Sequence, residues 1–246
     1  MVESDEYLLS FSDKARTLNS SEDAEELALR IEKTSCVRCL ELRGNTIGEQ
    51  AGYRIAEALK KHPELKRALW SDMFTGRLKT EIPPILRSLC YSLMETGVQL
   101  VELDLSDNAF GPIGAEGVES FLQSSSAYSL QVLKLNNNGL GAGGKIIARA
   151  LRNCYQNAAR DGCKFHLKSF IAGRNRLENP GALALAEAFE EIGSLEEVVM
   201  HQNGIKAEGI EALAKSFARN KNLRVVNLND NTFTSTGALS MAKVSS

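Results

Sequence analysis

Two cysteines, Cys36 and Cys39, have the spacing of a metal-binding motif and are the first residues in the chain that suggest chemistry. A structural zinc site needs four ligands, and the sequence has neither a second Cys-x-x-Cys pair nor a nearby histidine pair to complete one. The five cysteines are irregularly spaced, which argues against a disulfide framework. We therefore expect no metal, and we predict that the pair packs as small apolar side chains at the start of a strand.

A glycine-rich stretch from Gly139 to Ile146 has the outline of a phosphate-binding loop, Gly-x-x-x-x-Gly-Lys. Such a loop needs Ser or Thr directly after the lysine to hold magnesium, and Ile146 occupies that position. The three histidines, His62, His166 and His201, have no serine or cysteine partner placed by a motif, so a catalytic triad is not supported. We predict that each histidine is a surface residue and that the glycine-rich stretch binds no nucleotide.

A periodic pattern of apolar residues and asparagines is the strongest signal in the chain. Counting from Leu130 as position 1, apolar residues fall at positions 4, 6 and 11, and Asn138 falls at position 9. The pattern recurs seven times, with position 1 at Val37, Leu65, Leu100, Leu130, Leu167, Leu195 and Leu223. Position 9 is Asn in six of the seven repeats: Asn45, Asn108, Asn138, Asn175, Asn203 and Asn231, with Met73 in the second.

Each part of this pattern has a structural role in a leucine-rich repeat. Apolar residues at positions 4 and 6 point one face of a short strand into the core, and the asparagine satisfies backbone groups where the chain leaves the strand. Apolar residues at i, i+4 and i+8 then predict a helix. We predict an α/β fold, a leucine-rich repeat solenoid shaped as a curved horseshoe. Its parallel sheet lies on a concave face about 30 Å across, with the helices on the convex side.

The two ends of the chain depart from the repeat. We predict that residues 1–36 form an N-terminal cap, with a short strand from Leu8 to Phe11 and a helix from about Asn19 to Lys33 that Ser20 or Ser21 caps. Residues 37–246 are predicted to form the repeat domain, whose last repeat is incomplete and without a polar cap. On this pattern we expect a C-terminally truncated form with an exposed sheet edge.

Composition and charge exclude several classes of function. The chain has 246 residues, a formal net charge of −2 and no basic block, which argues against nucleic acid as a partner. No apolar run approaches the length of a membrane span, and the start, Met1 to Glu6, is acidic where a signal peptide is basic. We therefore expect a soluble, non-secreted protein that binds no membrane.

The second repeat breaks the pattern in a way that suggests function. Its asparagine is replaced by Met73, and Pro83 and Pro84 suit the first turn of a helix. The intervening residues, Phe74 to Thr80, must then form a loop at the rim of the horseshoe. Positions 7 and 8 of all seven repeats are small or polar and suit directed hydrogen bonds, although any solvated strand end would also be polar.

Several segments closely resemble the Ran GTPase-activating protein family, at matching spacings from about Leu8 to Ala242. The most specific is Ser71-Asp-Met-Phe-Thr-Gly-Arg-Leu-Lys-Thr-Glu-Ile-Pro. The others are Leu105-Ser-Asp-Asn-Ala-Phe-Gly-Pro, Gly173-Arg-Asn-Arg-Leu-Glu-Asn, Gln202-Asn-Gly-Ile and Asn227-Leu-Asn-Asp-Asn-Thr-Phe-Thr.

The resemblance implies a regulator in nucleocytoplasmic transport that binds GTP-loaded Ran and stimulates its GTP hydrolysis. It implies no active site and no cofactor of the chain's own, since Ran holds GTP and magnesium. It also implies a cytoplasmic monomer, with Ran-binding protein as a second partner. Nuclear-envelope association is not carried over, because it belongs to a C-terminal domain of the family that this sequence lacks.

The resemblance also assigns three residues to contact with Ran: Asn137, Arg77 and Lys79. It implies that Asn137 touches the switch region of Ran and helps Ran's glutamine to orient the attacking water. The arginine matching Arg77 supports the interface without entering the phosphate site, and Lys79 is its basic neighbour on the rim loop. Two alternatives stay open: a non-catalytic leucine-rich repeat binding module, and an unstable or inhibitory product of truncation.

Overall fold

A computed structural model describes residues 7–12 and 14–243 as one repeating series of strand, turn and helix. Within these residues, ten short strands alternate with eight α-helices. The strands are β1 (Leu8–Ser10), β2 (Thr17–Leu18), β3 (Cys39–Glu41), β4 (Thr46–Ile47), β5 (Arg67–Leu69), β6 (Glu102–Asp104), β7 (Val132–Lys134), β8 (Ser169–Ile171), β9 (Glu197–Val199) and β10 (Val225–Asn227). The helices are α1 (Ser21–Lys33), α2 (Glu49–Leu59), α3 (Ile82–Glu95), α4 (Gly111–Leu122), α5 (Gly143–Arg160), α6 (Glu178–Ile192), α7 (Ala207–Phe217) and α8 (Thr234–Ala242).

Eight of the strands form one parallel sheet, in the order β1-β3-β5-β6-β7-β8-β9-β10. Neighbours in this order also follow each other along the chain, each pair is joined by a connection that contains a helix, and successive helices pack side by side. Strands β2 and β4 form a separate two-stranded parallel sheet beside the first two units. This is the leucine-rich repeat architecture predicted from the sequence.

The predicted repeat register is confirmed strand by strand. The position 4 residues face one another across every pair of adjacent strands, as in Leu40 with Ala68 and Leu133 with Phe170. From β3 to β9 these residues are buried, because position 4 points into the space between sheet and helices. The eighth strand is an addition to the seven expected from the repeats: β1 pairs with β3 and extends the same sheet.

The position 9 asparagines form an internal series of hydrogen bonds, which we call the asparagine ladder: Asn45, Asn108, Asn138, Asn175, Asn203 and Asn231. Each side-chain amide donates to backbone carbonyl oxygens of its own repeat and of the preceding unit. From Asn108 onward, each side-chain oxygen also accepts the position 9 backbone N–H of the preceding repeat. The ladder satisfies backbone groups that the turn would otherwise leave buried without partners.

The predicted helix signals are also present in the structure. Ser20 is the N-cap of α1, and its side chain and that of Asp23 form a reciprocal capping box. Pro83 and Pro84 lie in the first turn of α3, as expected. Gly143 opens α5 where a side chain would meet Ala115 and Pro112 of α4, so this glycine allows close packing of two helices.

One prediction about the histidines is wrong. His62 is buried, with only 2% of its surface exposed, whereas His166 is exposed as expected. The His62 ring contacts the carbonyl oxygen of Ile31 at 2.7 Å through Nε2 and the carboxylate of Glu64 at 2.8 Å through Nδ1. It therefore joins the end of α1 to the segment after α2, which lies 31 residues further along the chain.

The two ends of the sheet differ in exposure. At the N-terminal end, Leu9 and Phe11 are buried, while at the other end Val225 and Val226 of β10 are 47% and 38% exposed. Among the described residues, β10 pairs with β9 and is more exposed than the strands inside the sheet. The acidic start at residues 1–6 and the final residues 244–246 lie outside the described residues, so those parts of the prediction stay untested.

The remaining sequence predictions concern cysteines and membrane spans. Cys39 is buried in β3, as predicted, and Cys36 is half-buried just before it. Within residues 7–12 and 14–243, no cluster of three or more His, Cys, Asp or Glu side chains could hold a metal ion. Over the same residues, no helix has the length and apolar character needed to cross a membrane.

Candidate functional site

The turn that follows each repeat strand separates an inward residue from an outward one. The position 8 residues, which we call the outer column, all have left-handed backbones with φ between 48° and 74°: Gly44, Asp72, Asp107, Asn137, Arg174, Gln202 and Asp230. This left-handed residue separates the strand end from the buried position 9 asparagine. The outer column therefore runs along the rim as a series of side chains that the core does not use.

Asn137 lies in the middle of the outer column and is exposed. Its backbone N–H donates to the carbonyl oxygen of Gly173 at 2.9 Å, which fixes its place on the rim. Its side-chain Nδ2 donates to Oδ1 of Asp107 at 3.0 Å. Its neighbour Asn138 is buried, and Nδ2 of Asn138 donates to the carbonyl oxygens of Leu105 and Leu135 at 2.8 and 3.2 Å.

The rim loop from Phe74 to Thr80 replaces the regular turn of the second repeat. Met73 is fully buried but offers no amide oxygen to the preceding repeat, so the asparagine ladder is interrupted there. Local bonds hold the loop instead: the Thr75 hydroxyl donates to Asp72, and the Leu78 N–H donates to the carboxylate of Glu81 at 2.8 Å. The loop is therefore an ordered projection, and Leu78 on it is 69% exposed.

Arg77 anchors this loop to the first unit of the solenoid. Its Nη2 donates to the carbonyl oxygens of Leu18 at 3.1 Å and Thr46 at 3.2 Å, in the small sheet of β2 and β4. The guanidinium lies against Gly48, where an added Cβ would be 3.1 Å from Nη1. The Arg77 side chain therefore points back into the protein, an orientation that the sequence alone does not reveal.

Lys79 and Asn137 line one open cleft on the rim, with a volume of about 600 Å³. Arg174 and Arg176 also line it, whereas no carboxylate does. Arg174 donates to the neutral amide of Gln202, so the cleft carries three cationic side chains without an acidic partner along its lining. The structure thus brings together two of the three predicted site residues and adds two arginines; Arg77 does not line this cleft.

The concave face beside the cleft carries a charged cluster. The Glu102 carboxylate in β6 accepts hydrogen bonds from Arg67 at 2.7 Å and Lys134 at 2.6 Å, on the two adjacent strands. Burial raises the pKa of Glu102, but the bonds from Lys134 and Arg67 outweigh burial, so that its pKa lies below the ordinary value. Glu102 is therefore ionised at neutral pH and links three neighbouring strands.

The cleft has the chemistry of a recognition surface. Its lining offers cations, amides and exposed backbone, but neither a carboxylate nor a histidine as a general base, and neither a serine nor a cysteine as a nucleophile. The glycine-rich stretch that resembles a phosphate-binding loop forms the ordinary turn into α5, with Gly139 and Gly141 at positive φ. Directed hydrogen bonds to a macromolecular partner are what this surface can supply.

Comparison with known proteins supports both the fold and the family. A family model described as Leucine Rich repeat matches residues 100–121 and 219–242. The chain is 56% identical over 198 residues to Ran GTPase-activating protein 1 of Xenopus laevis and 54% identical over 199 residues to Ran GTPase-activating protein 2 of Caenorhabditis elegans. It is 47% identical over 201 residues to the Ran GTPase-activating protein of Drosophila melanogaster.

These three alignments cover 80–81% of this chain but only 21–34% of the relatives, so the chain spans about a fifth to a third of their length. Identity near one half over some 200 residues is far above what a shared repeat pattern alone produces. Over about four fifths of its length, the chain is therefore similar to one part of the Ran GTPase-activating proteins.

Proposed function

We propose that this chain is a GTPase activator for Ran. The observation that carries the proposal is the 47–56% identity to proteins named as Ran GTPase-activating proteins over 80–81% of the chain. The geometry supports it, because Asn137 and Lys79, two of the residues assigned to Ran contact, line the same rim cleft. The cleft is wide and open, as a protein partner requires.

In this proposal the hydrolytic chemistry belongs to Ran, which brings GTP and magnesium to the complex. The chain acts by holding a mobile group of Ran in the orientation that lets it place the attacking water. Many GTPase activators instead insert an arginine finger, worth about 10³ to 10⁵ in rate. The guanidinium of Arg77 is engaged by two carbonyl oxygens of the first unit, so Arg77 acts as a loop anchor in this scheme.

The proposed partner set follows the same scheme. The chain binds GTP-loaded Ran as a monomer in the cytoplasm, needs no cofactor of its own, and tolerates Ran-binding protein on the same Ran molecule. Lys79, Arg174 and Arg176 give the cleft a positive potential, which favours acidic groups on the surface of Ran. Leu78 offers an apolar contact at the tip of the rim loop.

A single-turnover assay of GTP hydrolysis by Ran tests the proposal. Addition of the chain should accelerate hydrolysis, and Asn137→Ala should reduce the acceleration about 100-fold, as expected when a group that positions the reacting atoms is lost. The matched control is Asn153→Ala, which removes an asparagine of the same repeat on helix α5, where Nδ2 donates to Gln123. This control should accelerate hydrolysis as the parent chain does.

Two outcomes would contradict the proposal. If the chain is folded by circular dichroism and leaves the rate unchanged, it is not a GTPase activator. If it then binds GTP-loaded Ran in a pull-down or by calorimetry, the second candidate applies: a non-catalytic leucine-rich repeat binding module. The open, polar concave face favours that candidate over an enzyme, since it suits a clasped protein partner.

A further inference from the structure

The orientation of the Asn137 side chain is set by a residue of the preceding repeat. Its Nδ2 lies 3.0 Å from Oδ1 of Asp107. An ionised carboxylate can only accept hydrogen bonds, so the amide nitrogen, and not the amide oxygen, must face it. Asp107 thereby decides which end of the Asn137 amide points away from the rim.

The neighbour on the other side does not compete for this bond. Arg174 directs its Nε to Oε1 of Gln202 at 3.0 Å, away from Asn137. Within the described part of the chain, no donor occupies Oδ1 of Asn137, and this oxygen belongs to a residue that lines the cleft. The bond to Asp107 uses one of the two N–H groups of Asn137, so its carbonyl oxygen and its second N–H remain available to a partner.

We propose that Asp107 is a positioning residue for the Ran-directed activity and that it holds the Asn137 amide with the carbonyl oxygen turned away from Asp107, toward the partner. This inference rests on the proposed function. It names the chemistry of the partner group that meets the Asn137 carbonyl oxygen, which is an N–H donor such as a side-chain amide or a backbone amide of Ran.

Asp107 is itself held firmly enough for this task. Its backbone N–H donates to the carbonyl oxygen of Asn136 at 2.8 Å, and its φ of 60° is the left-handed turn shared by the outer column. The bond joins two exposed side chains, so its loss removes nothing from the buried core. A purely structural role for Asp107 is therefore small, and its effect should show in the reaction.

The first test is kinetic and uses the full chain with GTP-loaded Ran. Asp107→Ala should lower the maximal single-turnover rate about tenfold while the half-saturating concentration changes less than about threefold, because an unheld amide samples unproductive orientations. Asp107→Asn retains an oxygen that can accept from Nδ2 and should recover most of the rate. Asp230→Ala removes the outer-column aspartate of the last repeat, which is distant from Asn137, and should change nothing.

A double-mutant cycle measures the energetic coupling between Asp107 and Asn137 in the reaction. In the Asn137→Ala background, Asp107→Ala should not lower the maximal rate further, since both substitutions remove the same hydrogen bond. Full multiplicative losses would overturn the proposal, and so would a loss of Ran binding with an unchanged maximal rate. A chain that fails to accelerate Ran at all contradicts the proposed function, which is a different result.

A spectroscopic measurement tests the geometry without Ran. The Asn137 side-chain NH₂ signals, identified by their absence in Asn137→Ala, should include one proton shifted downfield by the hydrogen bond to Asp107. Asp107→Ala should move that signal to the position of a solvated amide, and Asp230→Ala should leave it in place. A signal that is already solvated in the parent chain would overturn the proposal.

Discussion

Asn137 and Asn138 are adjacent, identical in type and opposite in role. Asn138 belongs to the asparagine ladder, is 1% exposed and donates hydrogen bonds from its amide to backbone carbonyl oxygens of two repeats. Asn137 belongs to the outer column, is exposed and donates one hydrogen bond from its amide nitrogen to the side chain of Asp107. A single left-handed residue in the turn produces this division, because it sends consecutive side chains to opposite sides of the chain.

The two columns also differ in how strictly the fold determines them. The ladder is Asn in six of seven repeats, because an amide both donates to the turn carbonyls and accepts the position 9 backbone N–H of the preceding repeat. The outer column contains Gly, Asp, Asn, Arg and Gln, because the turn requires only a residue that can adopt a positive φ. Variation that the fold permits is where a binding surface can acquire specificity.

The largest expected effect comes from the ladder. Asn138→Ala leaves the N–H of Asn108 buried without a partner and removes one of the two side-chain donors to each of the carbonyl oxygens of Leu105 and Leu135. At about 1–3 kcal/mol for the unsatisfied N–H and about 0.5–1.5 kcal/mol for each lost hydrogen bond, we expect unfolding free energy to fall by about 3 kcal/mol in urea titrations. Asn137→Ala should cost only about 1 kcal/mol, the penalty for alanine in a left-handed turn. Equal losses for the two variants would remove the distinction between the columns.

The rim loop gives an effect of intermediate size. Arg77→Ala removes two hydrogen bonds between the loop and the first unit, so the loop that carries Leu78 and Lys79 should become mobile. We expect Ran activation at subsaturating chain to fall about tenfold, mainly through a higher half-saturating concentration, since ordering the loop then opposes binding. Trypsin should cleave after Lys79 faster than in the parent chain.

The control for the loop is Arg87→Ala, an exposed arginine of the same repeat on α3. It removes the same charge and should leave both kinetics and cleavage unchanged. If Arg77→Ala instead lowers the maximal rate with cleavage unaltered, Arg77 contacts Ran directly and the anchoring role is wrong.

Local, periodic features of the molecule could be predicted from the sequence. The strand register, the asparagine ladder, the capping of α1 by Ser20 and the start of α3 at its proline pair each depend on residues within one repeat or its neighbour. A solenoid makes such prediction possible, because each unit contacts mainly the units beside it. The exposure of Asn137 also follows from its place in the turn.

Features that depend on contacts outside the repeat pattern could not be predicted. Arg77 donates a hydrogen bond to the carbonyl oxygen of Leu18, which lies 59 residues away in the atypical first unit. The repeat pattern does not predict this contact. His62 was expected at the surface, but Ile31 and Glu64 provide acceptors that allow it to be buried. The convergence of Arg174 and Arg176 with Lys79 likewise required the curvature that brings residues of five repeats to one cleft.

The smallest expected effect concerns the concave face, which should contribute to stability only through its charges. The folded pKa of Glu102 lies below its ordinary value of 4.5, so its bonds to Arg67 and Lys134 stabilise the fold above about pH 4.5, and this contribution is lost as pH falls through the folded pKa. Glu102→Gln should therefore lower the melting temperature by a few degrees at pH 7 and by less at pH 3, measured by calorimetry.

Because Glu25 and Glu64 also have lowered pKa values, the parent chain loses stability in acid as well, and only the difference between the two proteins is diagnostic. A difference that is constant from pH 7 to pH 3 would show that Glu102 acts through packing and not through its charge.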